Sequence, residues 1–520
     1  MLDVLIHDVT VVDGTGAPGF AGAVGLTGER IAWLGREGAE APPAAARVDG
    51  RGSTLTPGFV DVHNHSDLSP LILPTMPSTL RQGTTTVIVG NCGSSPWPLA
   101  GWDECVGLAY ASAADHPPPA WTSWADYLDA IDAGRPAVNV ATLVGHGSVR
   151  REVLGLDRRP PDAAELGRMA GLVGEAVSAG AVGVSSGLVY APGIYAATDE
   201  LVALARASAS QDGVYASHIR GEGRDLFDAV AEAIRIGRQA DLPVHVSHLK
   251  CESSRVWGRA DDLLRTIHDA GATGDQYPYP AWNSSLESLL PPWAPVADVA
   301  ATAATEHDRL RDAVERGEPD FQSSVDGVGW DRIVISETRD ARWNGMDIAA
   351  IGDEMERDPF DAMIALLAAA PATACIGHAM HDDDVRTILA DPRVFVASDA
   401  SAIDPASPAG ELPVHPRDYG TFPRALAMAR DERLLPIESV VAKMTSLPAG
   451  RFGLPDRGRI IEGAFADVLL VDPAGVRDAA TFASPHAFPE GIERIWVNGA
   501  TVWEAGQDAI ARHGRAIRHG

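Results

Sequence analysis

Short apolar runs alternate with alanine-rich helical segments through most of this chain of 520 residues, and no other feature constrains its fold as strongly. The pattern is typical of a parallel α/β fold, in which each helix carries the chain back to the start of the next strand. Helical segments such as Ala163–Ser178 and Leu226–Arg238 separate the runs. Eight runs can be counted: Gly58–His65, Thr84–Cys92, Ala137–His146, Ala181–Tyr190, Gly213–His218, Pro243–Lys250, Ala272–Tyr279 and Val394–Asp399. Eight such units predict a TIM-like (β/α)8 barrel with its site at the carboxyl ends of the strands.

The two ends of the chain show a different sequence pattern, in which short strand-like runs are separated by turns. Near the amino terminus, Gly14-Thr15-Gly16 and Gly28-Glu29 separate strand-like runs. Near the carboxyl terminus, Asn498-Gly499 lies between two apolar runs, which is a strong hairpin signal. We therefore predict that residues 1–57 and 458–520 form one small β-sandwich domain.

A stretch far longer than a connection requires separates the seventh run from the eighth. It contains the turn-forming Pro291-Pro292-Trp293 and a strand-like run at Arg332–Ser336. We predict that residues 290–390 form an inserted subdomain or lid over the strand ends. The barrel would then comprise residues 58–289 and 391–457.

His63 and His65 close the first apolar run. Alternation along a strand sends residues i and i+2 to the same face, so both imidazoles can converge on one point. Two neutral imidazoles held in this way suit a divalent transition metal, zinc foremost.

Later runs end in further residues of ligand type. Cys92 closes the second run, His218 and His248 close the fifth and sixth, and Asp399 closes the eighth. A lone cysteine is most often a small buried hydrophobic residue, and a lone histidine is often a satisfied polar one. Six such residues in barrel order instead favour a metal centre.

These residues and the motifs around them resemble the N-acyl-D-amino-acid deacylase (D-aminoacylase) family of the amidohydrolase superfamily. The resemblance spans almost the whole chain and implies a zinc-dependent enzyme that hydrolyses the amide bond of N-acyl-D-amino acids. The segments that carry it are Val11–Gly16, Pro57–His65, Gly90–Gly93, Gly145–Arg150, Gly187–Tyr190, Ser217–Arg220, Ser247–Lys250, Tyr277–Tyr279, Ser398-Asp399, His415–Arg424 and Thr445–Ala449.

The resemblance also implies how the metal is held. Cys92 takes the place that a carbamylated lysine fills in hydantoinases and ureases, and no lysine lies near the fourth run. One tightly bound Zn²⁺ ion would be held by Cys92, His218 and His248. A second position, often weakly filled, would be formed by His63, His65 and Asp399.

Asp399 is the predicted catalytic residue, a general base that deprotonates the attacking water and then returns the proton to the leaving nitrogen. A substrate with a free carboxylate needs cationic anchors, and the resemblance suggests Arg417 and Lys250. It also suggests hydroxyl donors near the substrate, namely Tyr190, Tyr279 and Ser285. The remaining histidines of interest are predicted to be structural: His146, His245, His378, His381 and His415.

Composition excludes several classes of partner. The formal net charge of −29 disfavours a nucleic-acid backbone or an anionic membrane, since both need a basic face. The four cysteines are too scattered for a disulfide framework, and we find neither a leader peptide nor a long apolar run. We expect a cytoplasmic protein whose partner is a small N-acyl amino acid substrate.

Three alternatives stay open at this point. A dipeptidase that acts on a carboxyl-terminal D-residue would need the same centre. A cyclic amidase of the hydantoinase kind is disfavoured by Cys92, and a non-catalytic scaffold barrel would be expected to have lost metal ligands. The preferred side chain, the acyl group and the oligomeric state are not encoded in any pattern we find.

Overall fold

The structure is a computed structural model that describes residues 1–209, 213–319 and 321–519. The strands are β1 (Leu2–Val11), β2 (Phe20–Thr27), β3 (Arg30–Arg36), β4 (Ala44–Asp49), β5 (Thr54–Pro57), β6 (Phe59–Asp61), β7 (Thr84–Val89), β8 (Asn139–Gly145), β9 (Gly183–Gly187), β10 (Val214–His218), β11 (Val244–Val246), β12 (Thr273–Gln276), β13 (Trp282–Ser285), β14 (Ile333–Glu337), β15 (Ala374–Gly377), β16 (Val394–Val396), β17 (Val468–Val471), β18 (Ile492–Val497) and β19 (Ala500–Glu504).

The α-helices are α1 (Ser69–Ile72), α2 (Pro77–Leu80), α3 (Trp102–Leu108), α4 (Trp124–Gly134), α5 (His146–Leu154), α6 (Ala163–Ser178), α7 (Thr198–Ser208), α8 (Leu226–Ala240), α9 (Ala260–Asp269), α10 (Val299–Arg316), α11 (Ile348–Glu354), α12 (Pro359–Ala369), α13 (Asp382–Ala390), α14 (Arg417–Asp431), α15 (Ile437–Met444) and α16 (Ser446–Arg451). None of the helices in the described part of the chain has the length and apolar character that crossing a bilayer requires.

Strands β6 to β12 and β16 form a parallel eight-stranded sheet in the order β16-β12-β11-β10-β9-β8-β7-β6. The cylinder closes beyond the ends of β6 and β16, where Asn64 and Ala400 form a parallel bridge. Next to it the His65 amide donates to the Ala400 carbonyl, and the Asp399 amide donates to the His63 carbonyl, both at 2.8 Å. The predicted TIM-like barrel is confirmed, and its closing seam lies among predicted metal ligands.

The helices around the barrel form for local reasons that the sequence displays. The Asp162 carboxylate caps α6 by accepting from the Ala164 and Glu165 amides, which satisfies two free donors of the first turn. In α8 the buried residues recur at spacings of three and four, so one apolar stripe faces the barrel. Both helices lie where the sequence predicts them.

Strands from the two chain ends join in one mixed sheet, in the order β19-β18-β17-β5-β1-β2-β3, with β4 paired to β1. Asn498 and Gly499 have φ of 50° and 80° and form the tight turn between β18 and β19. This is the hairpin that the Asn-Gly pair predicts. The exact domain boundaries stay predictions.

A segment near the carboxyl terminus fills the bottom of the barrel, at the amino ends of the strands. Ala516 forms a parallel bridge with Val140, and the Ile517 amide donates to the Val140 carbonyl at 2.8 Å. The Ile517 side chain joins the cluster of apolar residues that fills the barrel interior, together with Phe452 and Leu454. The interior is therefore completed by a segment that follows all eight strands.

The long connection between β12 and β16 carries its own small antiparallel sheet, in the order β13-β15-β14. Helices α10 to α12 accompany it and share a core of buried apolar residues. Strand β13 lies next to the mouth of the barrel, because the Ser284 hydroxyl is 3.1 Å from the Tyr190 hydroxyl. This part of the chain thus forms one wall beside the strand ends.

Candidate metal centre and active site

Most of the predicted ligands lie just past the ends of their strands. Strands β6, β7, β11 and β16 end two to three residues before His63, Cys92, His248 and Asp399, respectively. Three of these residues have left-handed backbone, with φ of 52° at Cys92, 36° at His248 and 52° at Asp399. Such a conformation is uncommon for residues other than glycine, and it ends a strand by turning the chain. The predicted runs are therefore longer than the observed strands.

One group of donors comprises Cys92, His218 and His248, whose ligand atoms all lie within 4.8 Å of one another. The His248 Nε2 atom is 3.0 Å from His218 Nδ1 and 3.7 Å from the Cys92 sulfur. All three side chains are buried. This is the set that we predict for the tightly bound ion.

The other predicted ligands adjoin this group. The Asp399 Oδ1 atom is 3.3 Å from His63 Nε2 and 3.1 Å from His65 Nε2. The same His63 nitrogen is 3.3 Å from the Cys92 sulfur, so Cys92 lies between the two groups. The structure thus brings all six predicted ligands together at the carboxyl ends of the strands.

The chemistry of this donor set fits a divalent cation. Burial disfavours a charged Cys92, but His63 and the neighbouring imidazoles outweigh it and hold the pKa of the thiol well below its usual range. The pKa of Asp399 is also held well below its usual range, because Arg417 and His63 outweigh the effect of burial. A thiolate and a carboxylate among imidazole nitrogens are ligands that zinc accepts.

Arg417, the first residue of α14, lies inside the site. Its Nη1 donates to Asp399 Oδ2 at 2.7 Å, and its guanidinium lies over the Tyr277 ring at 4.9 Å from the centroid. Among the described residues its buried Nε has no hydrogen-bond partner. Arg417 therefore holds the carboxylate and keeps an unused donor in the site.

Lys250 also lies at the cluster, where it is bound to a carboxylate. Its Nζ donates to Glu222 Oε1 at 2.7 Å and lies 2.7 Å from His248 Nδ1. Glu222 Oε1 is 2.9 Å from the same His248 nitrogen. Burial opposes the charge of Glu222, but Lys250 and His248 outweigh it and lower its pKa.

A second carboxylate, Asp275 of β12, lies behind the cluster. Its Oδ1 accepts from the His248 amide at 2.9 Å, and its Oδ2 accepts from His245 Nε2 at 2.7 Å. Its Oδ2 is also 3.6 Å from His63 Nδ1. Two of the predicted metal-ligand histidines therefore contact one buried carboxylate, His63 through its ring and His248 through its backbone amide.

Comparison with known proteins agrees with this geometry. A family model described as the amidohydrolase family matches residues 47–503. The D-aminoacylase of Alcaligenes xylosoxydans xylosoxydans is 34% identical, over 96% of this chain and 94% of its own. The N-acyl-D-glutamate deacylase of the same organism is 37% identical, over 99% and 96%. The chain belongs to the D-aminoacylase family of amidohydrolases.

A solved structure supports the assignment. The N-acyl-D-glutamate deacylase from Bordetella bronchiseptica, complexed with zinc and a phosphonate inhibitor that mimics the tetrahedral intermediate, superposes with a TM-score of 0.82. It is 34% identical and matches 99% of both chains. The protein is thus a metal-dependent amidohydrolase of the D-aminoacylase type.

The predicted hydroxyl donors differ in their relation to this D-aminoacylase-type site. The ring of Tyr190 packs edge-on against the His218 ring, with centroids 5.0 Å apart. Its hydroxyl is 3.1 Å from that of Ser284, the neighbour of the predicted substrate-binding Ser285. Ser285 is the next residue in β13, so its side chain points to the opposite face of the strand.

Tyr279 and Tyr277 contact different residues. The Tyr279 hydroxyl donates to the Pro416 carbonyl at 3.4 Å, and its ring packs edge-on against His415. Tyr277 instead packs under the Arg417 guanidinium. Within the described part of the chain its buried hydroxyl lacks a hydrogen-bond partner.

Sequence reasoning missed four residues at the site: Glu222, Asp275, Tyr277 and Ser284. A signal existed for Asp275, which is a charged residue inside the seventh apolar run. Tyr277 lies two residues after Asp275, so alternation along the predicted run sends both side chains to the same face. It also belongs to the segment Tyr277–Tyr279, of which only Tyr279 is a predicted site residue. For Glu222 and Ser284 we find no signal, because only the folded chain brings them to Lys250 and Tyr190.

Proposed function

We propose that the protein hydrolyses the amide bond of N-acyl-D-amino acids with Zn²⁺ as its metal, giving a carboxylate and a free D-amino acid. The observation that carries the proposal is the convergence of six buried donor side chains at one mouth of the barrel, with Asp399 among them. The names of the two relatives, a D-aminoacylase and an N-acyl-D-glutamate deacylase, support the substrate class. Zinc in the solved relative supports the metal.

In this proposal Cys92, His218 and His248 hold the tightly bound ion. His63, His65 and Asp399 form the second, weaker position. When bound, zinc supplies Lewis-acid polarisation of the scissile carbonyl, which is worth several kcal/mol of transition-state stabilisation.

Asp399 carries the proton transfers. Its pKa is held low, so the carboxylate is ionised and carries no proton when the attacking water arrives. The protonated Asp399 carboxyl group then gives that proton to the amine nitrogen as the amide bond breaks. A positioned general base of this kind contributes about a hundredfold or more to the rate.

Arg417 and Lys250 supply positive charge for the substrate carboxylate. The free, buried Nε of Arg417 supports this role, since a planar guanidinium can bind a second carboxylate through its remaining donors. Lys250 donates a hydrogen bond to Glu222 and adds a positive charge at the same end of the barrel. Tyr190, fixed by Ser284, offers a hydroxyl to the oxygen that becomes negative during the attack.

A substrate panel tests this proposal. The purified protein is assayed with N-acetyl-D-amino acids, their L-enantiomers, hydantoins and L-Xaa-D-Xaa dipeptides, and its metal content is measured on the same sample. We expect hydrolysis of the N-acetyl-D-amino acids and about one tightly bound zinc per chain. Turnover of only the dipeptides or only the hydantoins would assign one of the alternative activities, and a metal-free, inactive protein would support the scaffold alternative.

A further inference from the structure

A line of polar side chains in close contact runs from the metal cluster down into the barrel interior. It begins at His63, passes through Asp275 and His245, and ends at Thr273. All but Thr273 are almost fully buried. Two of these residues, Asp275 and His245, were assigned no role above.

His245 has the environment of a fixed support. Its ring stacks on Phe395 and packs edge-on against Phe452. Its Nε2 donates to Asp275 Oδ2 at 2.7 Å, and its Nδ1 lies 2.9 Å from the Thr273 hydroxyl. A neutral imidazole with its one proton on Nε2 can make both contacts. His245 therefore holds the Asp275 carboxylate through a hydrogen bond and adds no second charge beside it.

Asp275 in turn reaches two ligands from opposite parts of the cluster. Its Oδ1 accepts from the amide of His248, whose φ of 36° needs support from its surroundings. Its Oδ2 faces His63 Nδ1, while His63 Nε2 faces Cys92 and Asp399. One carboxylate thus contacts the backbone of one ligand and the ring of another.

We propose that Asp275 is a positioning residue of the metal centre, which sets the ring orientation of His63 and the backbone of His248, with His245 as its support. The inference deepens the proposed function, because it concerns the same metal site. The physical reason is general: a carboxylate on the second nitrogen of a ligating imidazole fixes the tautomer and the ring orientation, and losing it weakens metal binding by about ten- to a hundredfold.

Two variants and one matched control test the proposal. Asp275→Asn keeps the shape of the side chain and removes its charge, and His245→Gln removes the support alone. The control is Asp467→Asn. Asp467 is also a buried carboxylate that accepts from a backbone amide, that of Asn498 at 2.7 Å, and it pairs with Arg457 just before β17 of the sheet of the chain ends. The full-length proteins are compared by three measurements: zinc affinity in competition with a chelator, the visible spectrum with Co²⁺, and the Tm of the metal-free protein.

We expect Asp275→Asn to weaken zinc binding by about ten- to a hundredfold at the position of His63, His65 and Asp399, and to change the Co²⁺ spectrum. Zinc at the tight position should also bind more weakly, because Asp275 holds the backbone of its ligand His248. His245→Gln should weaken zinc binding by a smaller factor and add little in the double variant, because both changes act on one interaction. The control should lower the Tm while its zinc affinity stays within about threefold of the parent protein.

Unchanged zinc affinity and an unchanged Co²⁺ spectrum in Asp275→Asn would overturn the proposal. Should that variant fail to fold, His245→Gln decides, and parental zinc affinity in it overturns the proposal equally. If the parent protein binds zinc and hydrolyses its substrate while both variants bind zinc normally, only this inference fails. A parent protein that binds no zinc would refute the proposed function itself.

Discussion

Replacing Lys443 with methionine should stabilise the protein at neutral and acidic pH. The side chain lies in α15 with no exposed surface, and its amine donates to the Leu389 carbonyl near the end of α13. The carboxylate that favours its charge is Asp391, which already pairs with Arg393 at 3.1 Å and lies 3.6 Å from His268. Burial lowers the pKa of Lys443 from its usual 10.5 to about 7.

The size and sign of the effect follow from this pKa. Between about pH 7 and 10.5 the unfolded chain keeps a proton on this amine that the folded protein has lost, so stability rises with pH in that window. The cost of burying the amine is fully present below pH 7, where it is about 5 kcal/mol, and it vanishes near pH 10.5. Methionine avoids this cost and loses one hydrogen bond worth about 1 kcal/mol. The net gain is about 4 kcal/mol at pH 6, and it turns into a small loss near pH 10.5.

Thermal unfolding of the two proteins at pH 6 and pH 10 measures this difference. For a chain of this length a gain of about 4 kcal/mol raises the Tm by about 4 °C. Lys443→Arg is the matched control: the guanidinium stays charged, so this variant should be destabilised at both pH values. A methionine variant whose Tm difference from the parent is the same at pH 6 and pH 10 would refute the reasoning.

Further predictions concern the site. Asp399→Ala should lower kcat by about a hundredfold or more while the tight metal stays bound, and metal analysis with steady-state kinetics checks both; retained turnover would remove Asp399 from its role. Cys92→Ala should lose the tight metal and the activity together, because it removes a ligand of the tight ion that also lies 3.3 Å from His63 Nε2, and a fully metallated variant would contradict this. Tyr190→Phe should lower kcat by about tenfold, because it removes the hydroxyl proposed to donate to the developing oxyanion. Ser284→Ala removes only the partner of that hydroxyl and should change kcat less. Equal changes of kcat in the two variants would assign the pair a purely structural role.

The ligand set could be predicted from the sequence because parallel strands end at the same mouth of a barrel. Polar residues that close successive apolar runs, such as His63, Cys92 and Asp399, must then meet in space. The strand ends themselves could not be located, since the left-handed backbone at these residues depends on the surrounding loops. Ser285 stays a predicted hydroxyl donor, whereas the contact of Ser284 with Tyr190 could not be predicted, because a shift of one residue along a strand exchanges its two faces.

Partners from distant parts of the chain were harder to predict. Glu222 follows β10 and meets Lys250 only because β10 and β11 lie side by side in the barrel. A buried carboxylate bound to a lysine has no local pattern, since nothing in its neighbouring residues specifies the partner. Asp275 was easier to predict as a site residue, because a charged residue inside an apolar run needs a polar partner in the interior.

The segment at Ala516 and Ile517 has a consequence for how the protein is made. During synthesis all eight strands leave the ribosome long before this carboxyl-terminal segment does. Until the segment arrives, the lower end of the barrel stays open and the apolar residues that line it stay exposed to water. A nascent chain stalled or cleaved before Ala516 would carry every predicted ligand and catalytic residue but lack the segment that completes the barrel interior. We expect such shortened products to aggregate, and we expect bulky fusions placed immediately after this segment to lower the yield of folded enzyme.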